Sequence, residues 1–151
     1  MTDTSTLTRE ATASVADQLQ ALHRASGLAP LKLGGKSLLP IVQGGMGVGI
    51  SAHRLAGTVA SLNAVGTISS VDLRRHHPDL MARTQDLPAG EQATQAAKQA
   101  INEANLEALS REIKAARAIA GDSGLLAMNI MRAVSEYGPA VKQALACGID
   151  M

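Results

Sequence analysis

"LPIVQGGMGVGISAHRLAGTVASLNAVGTISS", residues 39–70, places four glycines (Gly44, Gly45, Gly47 and Gly49) between an apolar run and an amphipathic one. "PIVQ" reads as a short buried strand, Ser51 as the N-cap of a following helix, and Leu55, Val59 and Leu62 as that helix's buried stripe. "VGTISS", residues 65–70, reads as a second strand. A glycine-rich hand-over from strand to helix has three explanations. It can cradle a pyrophosphate at the helix N-terminus, it can form the rim of a barrel where a flat ring lies against bare backbone, or it can simply make a tight turn.

Working outward, "LKLGGKSLL" (residues 31–39) carries a two-residue Gly34-Gly35 hairpin signal. Before it, Leu7, Ala11, Val15, Leu19 and Leu22 recur at helical spacing, and Gly27 and Pro30 end that helix. After the second strand, residues 73–94 are polar, with Pro78, Pro88 and Gly90, and read as a long loop or insertion. Residues 96–120 form a long helix with Leu106, Leu109, Ile113, Ala116 and Ala120 on one face and Gly121 at its end. "LLAMNIM", residues 125–131, is a third strand too apolar for one solvated face. Residues 137–147 form a further helix, with Pro139 near its start and Gly148 beyond its end. Ile149 looks like the first residue of a fourth strand. Alternating buried strands and amphipathic helices predict an α/β fold with a parallel sheet covered by helices.

Composition narrows the function. The chain has 151 residues, 46% of them hydrophobic but only one aromatic, Tyr137, so the core must be built from aliphatic side chains and methionine. A net charge of +1 gives no electrostatic case for nucleic acid or an anionic membrane. No apolar run is long enough to span a bilayer and no secretory signal opens the chain, so a cytoplasmic protein is expected. The single cysteine, Cys147, cannot form an internal disulfide and reads as packed and inert.

Several residues invite functional readings. Gly47-Val48-Gly49-Ile50-Ser51-Ala52 fits G-x-G-x-x-G/A, with Asp72 about 20 residues further on, as a dinucleotide site requires. The misfit is local, because Gln43, Gly44, Gly45 and Met46 intervene between strand and first glycine. His76-His77-Pro78-Asp79 reads as solvated loop rather than a metal site, and no metal-ligand set is expected. His53 reads as a surface residue. Glu103, Glu107, Arg111, Glu112, Lys114 and Arg117 read as a solvated helix face.

"LPIVQGGMGVGIS…LAGTVASLNAVGTIS" resembles the opening of the nitronate monooxygenase (2-nitropropane dioxygenase-like) family, FMN enzymes on a TIM barrel. "MNIM" with Asn129 is similar to that family's third-strand element, and "VKQALACGID" to the helix leading into strand four. The related flavin-type enoyl-ACP reductases share Q-G-G-M and N-I-M. The resemblance covers residues 39–70 and 125–150. It implies the N-terminal portion, about three βα units, of an FMN-binding (β/α)8 barrel. Residues 1–30 would be a helical extension, residues 31–151 the barrel portion, and residues 73–120 an insertion between strands 2 and 3. Such a barrel takes about 250 residues, so the chain is expected to be the front part of a longer protein, ending before strand 4 is complete.

The resemblance further implies that Gly44, Gly45, Met46 and Gly47 line the isoalloxazine and that Asn129 offers its amide to the flavin. The family's base histidine comes downstream, so no catalytic residue is expected within this chain. The implied reaction is oxidation of an alkyl nitronate with O2. The rivals are reduction of an enoyl thioester with NAD(P)H, a Rossmann domain without flavin, and a noncatalytic fragment that exposes the open edge of strand three and self-associates. A homo-oligomer is compatible with each.

Overall fold

The computed structural model describes residues 4–88, 90–133 and 136–151, with side chains from residue 15 onward. Helix α1 (Thr4–Ser26) leads into a hairpin of β1 (Leu31–Leu33) and β2 (Lys36–Leu38). The hairpin is antiparallel, Leu31 opposite Leu38, and its turn residues Gly34 and Gly35 have φ of 56° and 75°, as a tight two-residue turn demands. Then follow α2 (His53–Ser61), β3 (Val65–Ser69), α3 (Pro78–Thr84), α4 (Gln95–Ala120), β4 (Leu125–Asn129) and α5 (Tyr137–Ala146), with short 3-10 turns at Leu73–His76 and Gly90–Gln92.

β3 and β4 pair in parallel, from Val65 opposite Leu125 to Ser69 opposite Asn129. Two further segments extend this pair. On the β3 side, Val42 bridges Val65 in parallel, with Gln43 N–H donating to Val65 C=O at 2.9 Å and Val65 N–H to Ile41 C=O at 3.0 Å. On the β4 side, Asp150 N–H donates to Leu126 C=O at 3.0 Å and Met128 N–H to Met151 C=O at 2.8 Å. The spatial order is therefore the chain order: residues 41–43, β3, β4, residues 150–151.

Alternation sorts the side chains. Ile68, Leu126 and Met128 face the helices and join a core with Ala56 and Ala60 of α2, Ala108, Leu109, Ile113 and Ala116 of α4, and Ala140 and Ala144 of α5. The helix layer sits close because its contact residues are small. A Cβ on Gly66 would stand 1.8 Å from the Ala56 carbonyl oxygen, so β3 can touch the α2 backbone only with glycine there. Val65, Leu125 and Ala127 face the other way, where Leu38, Leu31 and Leu33 of the hairpin cover them. Lys36 Nζ fastens the hairpin by donating to the carbonyls of Asp122 (2.7 Å) and Gly124 (2.9 Å).

Several expectations need correction. The first strand is only a bridge, and Ile41 and Val42 are exposed rather than buried. In α2 the buried residues are Ala56, Gly57 and Ala60, because close approach to β3 and α4 favours the small face over Leu55, which is exposed. Val15 and Leu22 of α1 are exposed as well, so that stripe does not join the core; Leu7 and Ala11 have side chains outside the described ones. The segment 73–94 is not one loop. Pro78 at the first helical position and Asp79 in the first turn start α3, and Leu80 is fully buried. Arg74, nearly buried, reaches from the preceding 3-10 turn to Thr84 Oγ1 at 2.9 Å. The edge of β4 is taken up by Asp150 and Met151 rather than left open. Among the described residues no helix is long and apolar enough to cross a membrane.

Candidate functional site

The ends of the parallel strands carry the glycine segment. It follows the Val42 bridge and crosses the face opposite the helices, over Thr67 of β3 and Asn129 of β4. A Cβ on Gly45 would lie 2.6 Å from Asn129 Cβ and 3.4 Å from Thr67 Cγ2, and one on Gly47 would lie 3.4 Å from Val71 Cβ. The fold therefore brings the loop residues Gly44–Gly47 and Asn129 to one place, although 80-odd residues separate them in the chain. Met46 is 46% exposed. Asn129 is exposed too, so its amide needs no protein partner to offset burial, and among the described residues it has none. The N–H groups of Gly44, Gly45 and Gly47 are likewise without a partner among the described residues.

What holds this loop was not visible as a site in the sequence. Ser51 is fully buried, yet it is not the N-cap; that position is Ala52, with no side-chain cap. Instead Ser51 Oγ accepts from Met46 N–H at 2.9 Å and from Gln43 Nε2 at 2.8 Å, and donates to Gly44 C=O at 3.1 Å. Gln43 Oε1 accepts from Thr67 N–H at 2.9 Å.

The N-terminus of α2 is capped from another helix. Glu112 of α4, 2% exposed, accepts on Oε2 from His53 N–H (2.7 Å), and His53 Nδ1 stands 2.8 Å from the same oxygen. His77 Nε2 lies 3.1 Å from Oε1, out of line for a hydrogen bond. Glu112 is thus no member of a solvated face, and His53 is half-buried on a carboxylate. A signal was present: Leu109, Glu112, Ile113 and Ala116 follow i, i+3, i+4, i+7, so Glu112 sits within the apolar stripe. His76 covers Gly49, where a Cβ would overlap its imidazole. Among the described residues no group of three or more His, Cys, Asp or Glu side chains is arranged to hold a metal ion.

Charge pairs on the helix layer are structural. Hydrogen bonds from Arg111, at 2.9 and 2.8 Å, hold the Asp79 carboxyl down at about 2 and pin α3 to α4. Arg111, and then Arg83, lower Glu107 as well. A cleft of about 210 Å³ between α4, α5 and the segment after β3 is lined by Ser70, Asp72, Asn105, Leu109 and Glu136 among others, and includes none of Gly44–Gly47 or Asn129. Cys147 is half-buried, with Gln143 Nε2 3.9 Å from its sulfur.

No family model, curated protein or solved structure matches this chain.

Proposed function

We propose that the chain is the FMN-holding front portion of a (β/α)8-barrel oxidoreductase of the nitronate monooxygenase type, acting in the cytoplasm on alkyl nitronates with O2. The observation that carries this reading is the sequential parallel order. Asp150 and Met151 bond to β4, the strand just before them, whereas a doubly wound dinucleotide fold sends its fourth strand back beside the first. A barrel adds each strand next to its predecessor and places its site at the strands' C-terminal ends, where Gly44–Gly47 and Asn129 lie.

The residues fit a flat, edge-polar ring. The loop backbone, exposed at Gly44 and Gly47 and partly covered at Gly45, has N–H donors without partners among the described residues, Met46 offers a polarizable surface, and the Asn129 amide is exposed on the same face. When bound, FMN supplies the redox chemistry, accepting electrons from the substrate and passing them to O2. The chain's own part is to position the ring and to donate hydrogen bonds to its edge.

A dinucleotide at the G-x-G-x-x-A segment meets a physical objection. The N-terminus of α2, where a pyrophosphate would bind, already holds the buried Glu112 carboxylate at 2.7 Å from His53 N–H. A second anion there would face like-charge repulsion at low dielectric.

Gel filtration of the purified chain after incubation with FMN or with NADH tests the reading. Co-eluting FMN with a shifted flavin spectrum supports it. Co-elution of NADH alone overturns it in favour of the dinucleotide domain. Anaerobic bleaching of retained flavin by an alkyl nitronate fits the monooxygenase; bleaching by NADPH instead selects the enoyl thioester reductase.

A further inference from the structure

The glycine loop has no regular secondary structure to hold it, yet its position is specified. The Ser51 hydroxyl has one donor and two acceptor sites, and all three are used: it donates to Gly44 C=O (3.1 Å) and accepts from Met46 N–H (2.9 Å) and Gln43 Nε2 (2.8 Å). Ser51 N–H donates to Met46 C=O at 3.0 Å, and Ser51 C=O accepts from Ser69 N–H at 3.0 Å. Gln43 closes the circuit on β3 through Thr67 N–H. A serine of 0% exposure, five residues beyond the methionine it clamps, thus ties both ends of the loop to the strand that Gly45 lies over.

We propose that Ser51 and Gln43 are positioning residues that preset the glycine loop and select the donors a planar ligand meets. Met46 N–H is consumed by Ser51, so Met46 can give a ring only its side chain. Within Gly44–Gly47 the backbone donors left for ligand, among the described residues, are those of Gly44, Gly45 and Gly47. The ligand class follows: a planar heterocycle with acceptor atoms along one edge, of which FMN is the example under the flavin reading on which this inference rests. Because the donors are fixed beforehand, binding need not order the loop, and that saving goes into affinity.

The test combines amide hydrogen exchange with FMN titration on the full chain, comparing wild type, Ser51→Ala and Gln43→Glu. Gln43→Glu keeps an acceptor for Thr67 N–H and removes the donor to Ser51, so it stands in should Ser51→Ala fail to fold. In the wild type without FMN, the Met46 amide should exchange at least about tenfold more slowly than those of Gly45 and Gly47. Ser51→Ala should erase that difference, and Gln43→Glu, which keeps the Ser51 acceptor but unties it from β3, should narrow it, while the unfolding transition stays cooperative. Each should also weaken FMN binding about tenfold, the effect of one or two lost hydrogen bonds, and change the position of the bound flavin's absorption band. A purely structural role would leave that band in place. Met46 exchanging as fast as Gly45 in the wild type overturns the proposal, whether or not FMN binds. Tight FMN binding unchanged in both variants overturns the positioning claim and leaves the flavin reading intact. Slow Met46 exchange without any FMN binding instead overturns the flavin reading and the ligand assignment together, leaving the clamp as a loop staple.

Discussion

Gly45 and Asn129 meet so closely that a methyl group on Gly45 would stand 2.6 Å from Asn129 Cβ. This contact joins the end of the first parallel segment to the end of the third across Thr67, and it gives Gly45 a reason to be glycine that does not involve a ligand. What favours a bound ring is therefore the Gly44, Gly45 and Gly47 N–H groups, without partners among the described residues, and the exposed Asn129 amide, and not the absence of a side chain at Gly45.

Gly45→Ala should destabilise the chain by about 1–3 kcal/mol, as overpacking does, with or without FMN. Asn129→Gly in the same chain removes the obstructing Cβ and should recover much of the loss. Asn129→Ala keeps that atom and should not. Urea unfolding of the three variants checks this; equal recovery by both second substitutions contradicts the contact.

Glu112→Ala should cost about 1–3 kcal/mol by leaving the part-buried His53 N–H without its acceptor. Glu112→Gln, which keeps an acceptor oxygen, should cost less. Thermal melts of the two variants rank them, and the reverse order would mean that Glu112 does not cap α2.

The Asp79–Arg111 pair predicts an acid effect. Asp79 titrates lower in the folded chain, at about 2, than its ordinary 3.8, so its contribution is complete above the ordinary value and is lost as the pH falls through about 2. The pair is exposed, so the effect is small. Urea midpoints of wild type and Asp79→Asn should differ near neutrality and converge as the pH approaches about 2. A constant gap across that range contradicts the assignment.

Thr94 caps α4, its hydroxyl accepting from Ala97 N–H at 3.2 Å. Thr94→Ala should lower stability by about 1 kcal/mol and Thr94→Ser by far less, measured by the same unfolding assay.

Periodicity and turn chemistry made much of this fold legible in the sequence. The Gly34-Gly35 hairpin, β3, β4, α4 and α5 all fall within two residues of their expected bounds, because strong apolar patterns and glycine stops coincide there. The exposure of Ile41 and Val42 is not legible in sequence, because an apolar tetrapeptide has the pattern of a buried strand whether or not anything covers it. α3 is not legible in sequence because its seven residues hold too little periodicity to stand out among polar neighbours. The loop's hub was illegible for a different reason: Ser51 before a helix has an obvious local use as a cap, and only the tertiary path of Gln43–Met46 turns it inward. Glu112 is hard to place from sequence because most helix charges face solvent, although its position in the stripe beside Leu109 and Ile113 points inward.

The proposed flavin site lies at the strand ends, at Gly44–Gly47 and Asn129. Its most direct measurement is a two-dimensional amide spectrum of the isotopically labelled chain titrated with FMN. Saturable shifts are expected of the Gly44, Gly45 and Gly47 backbone amides and of the Asn129 side-chain amide, with little change at His53 or along α1. Shifts centred on the N-terminus of α2, or none anywhere in a folded chain at saturating FMN, would contradict it.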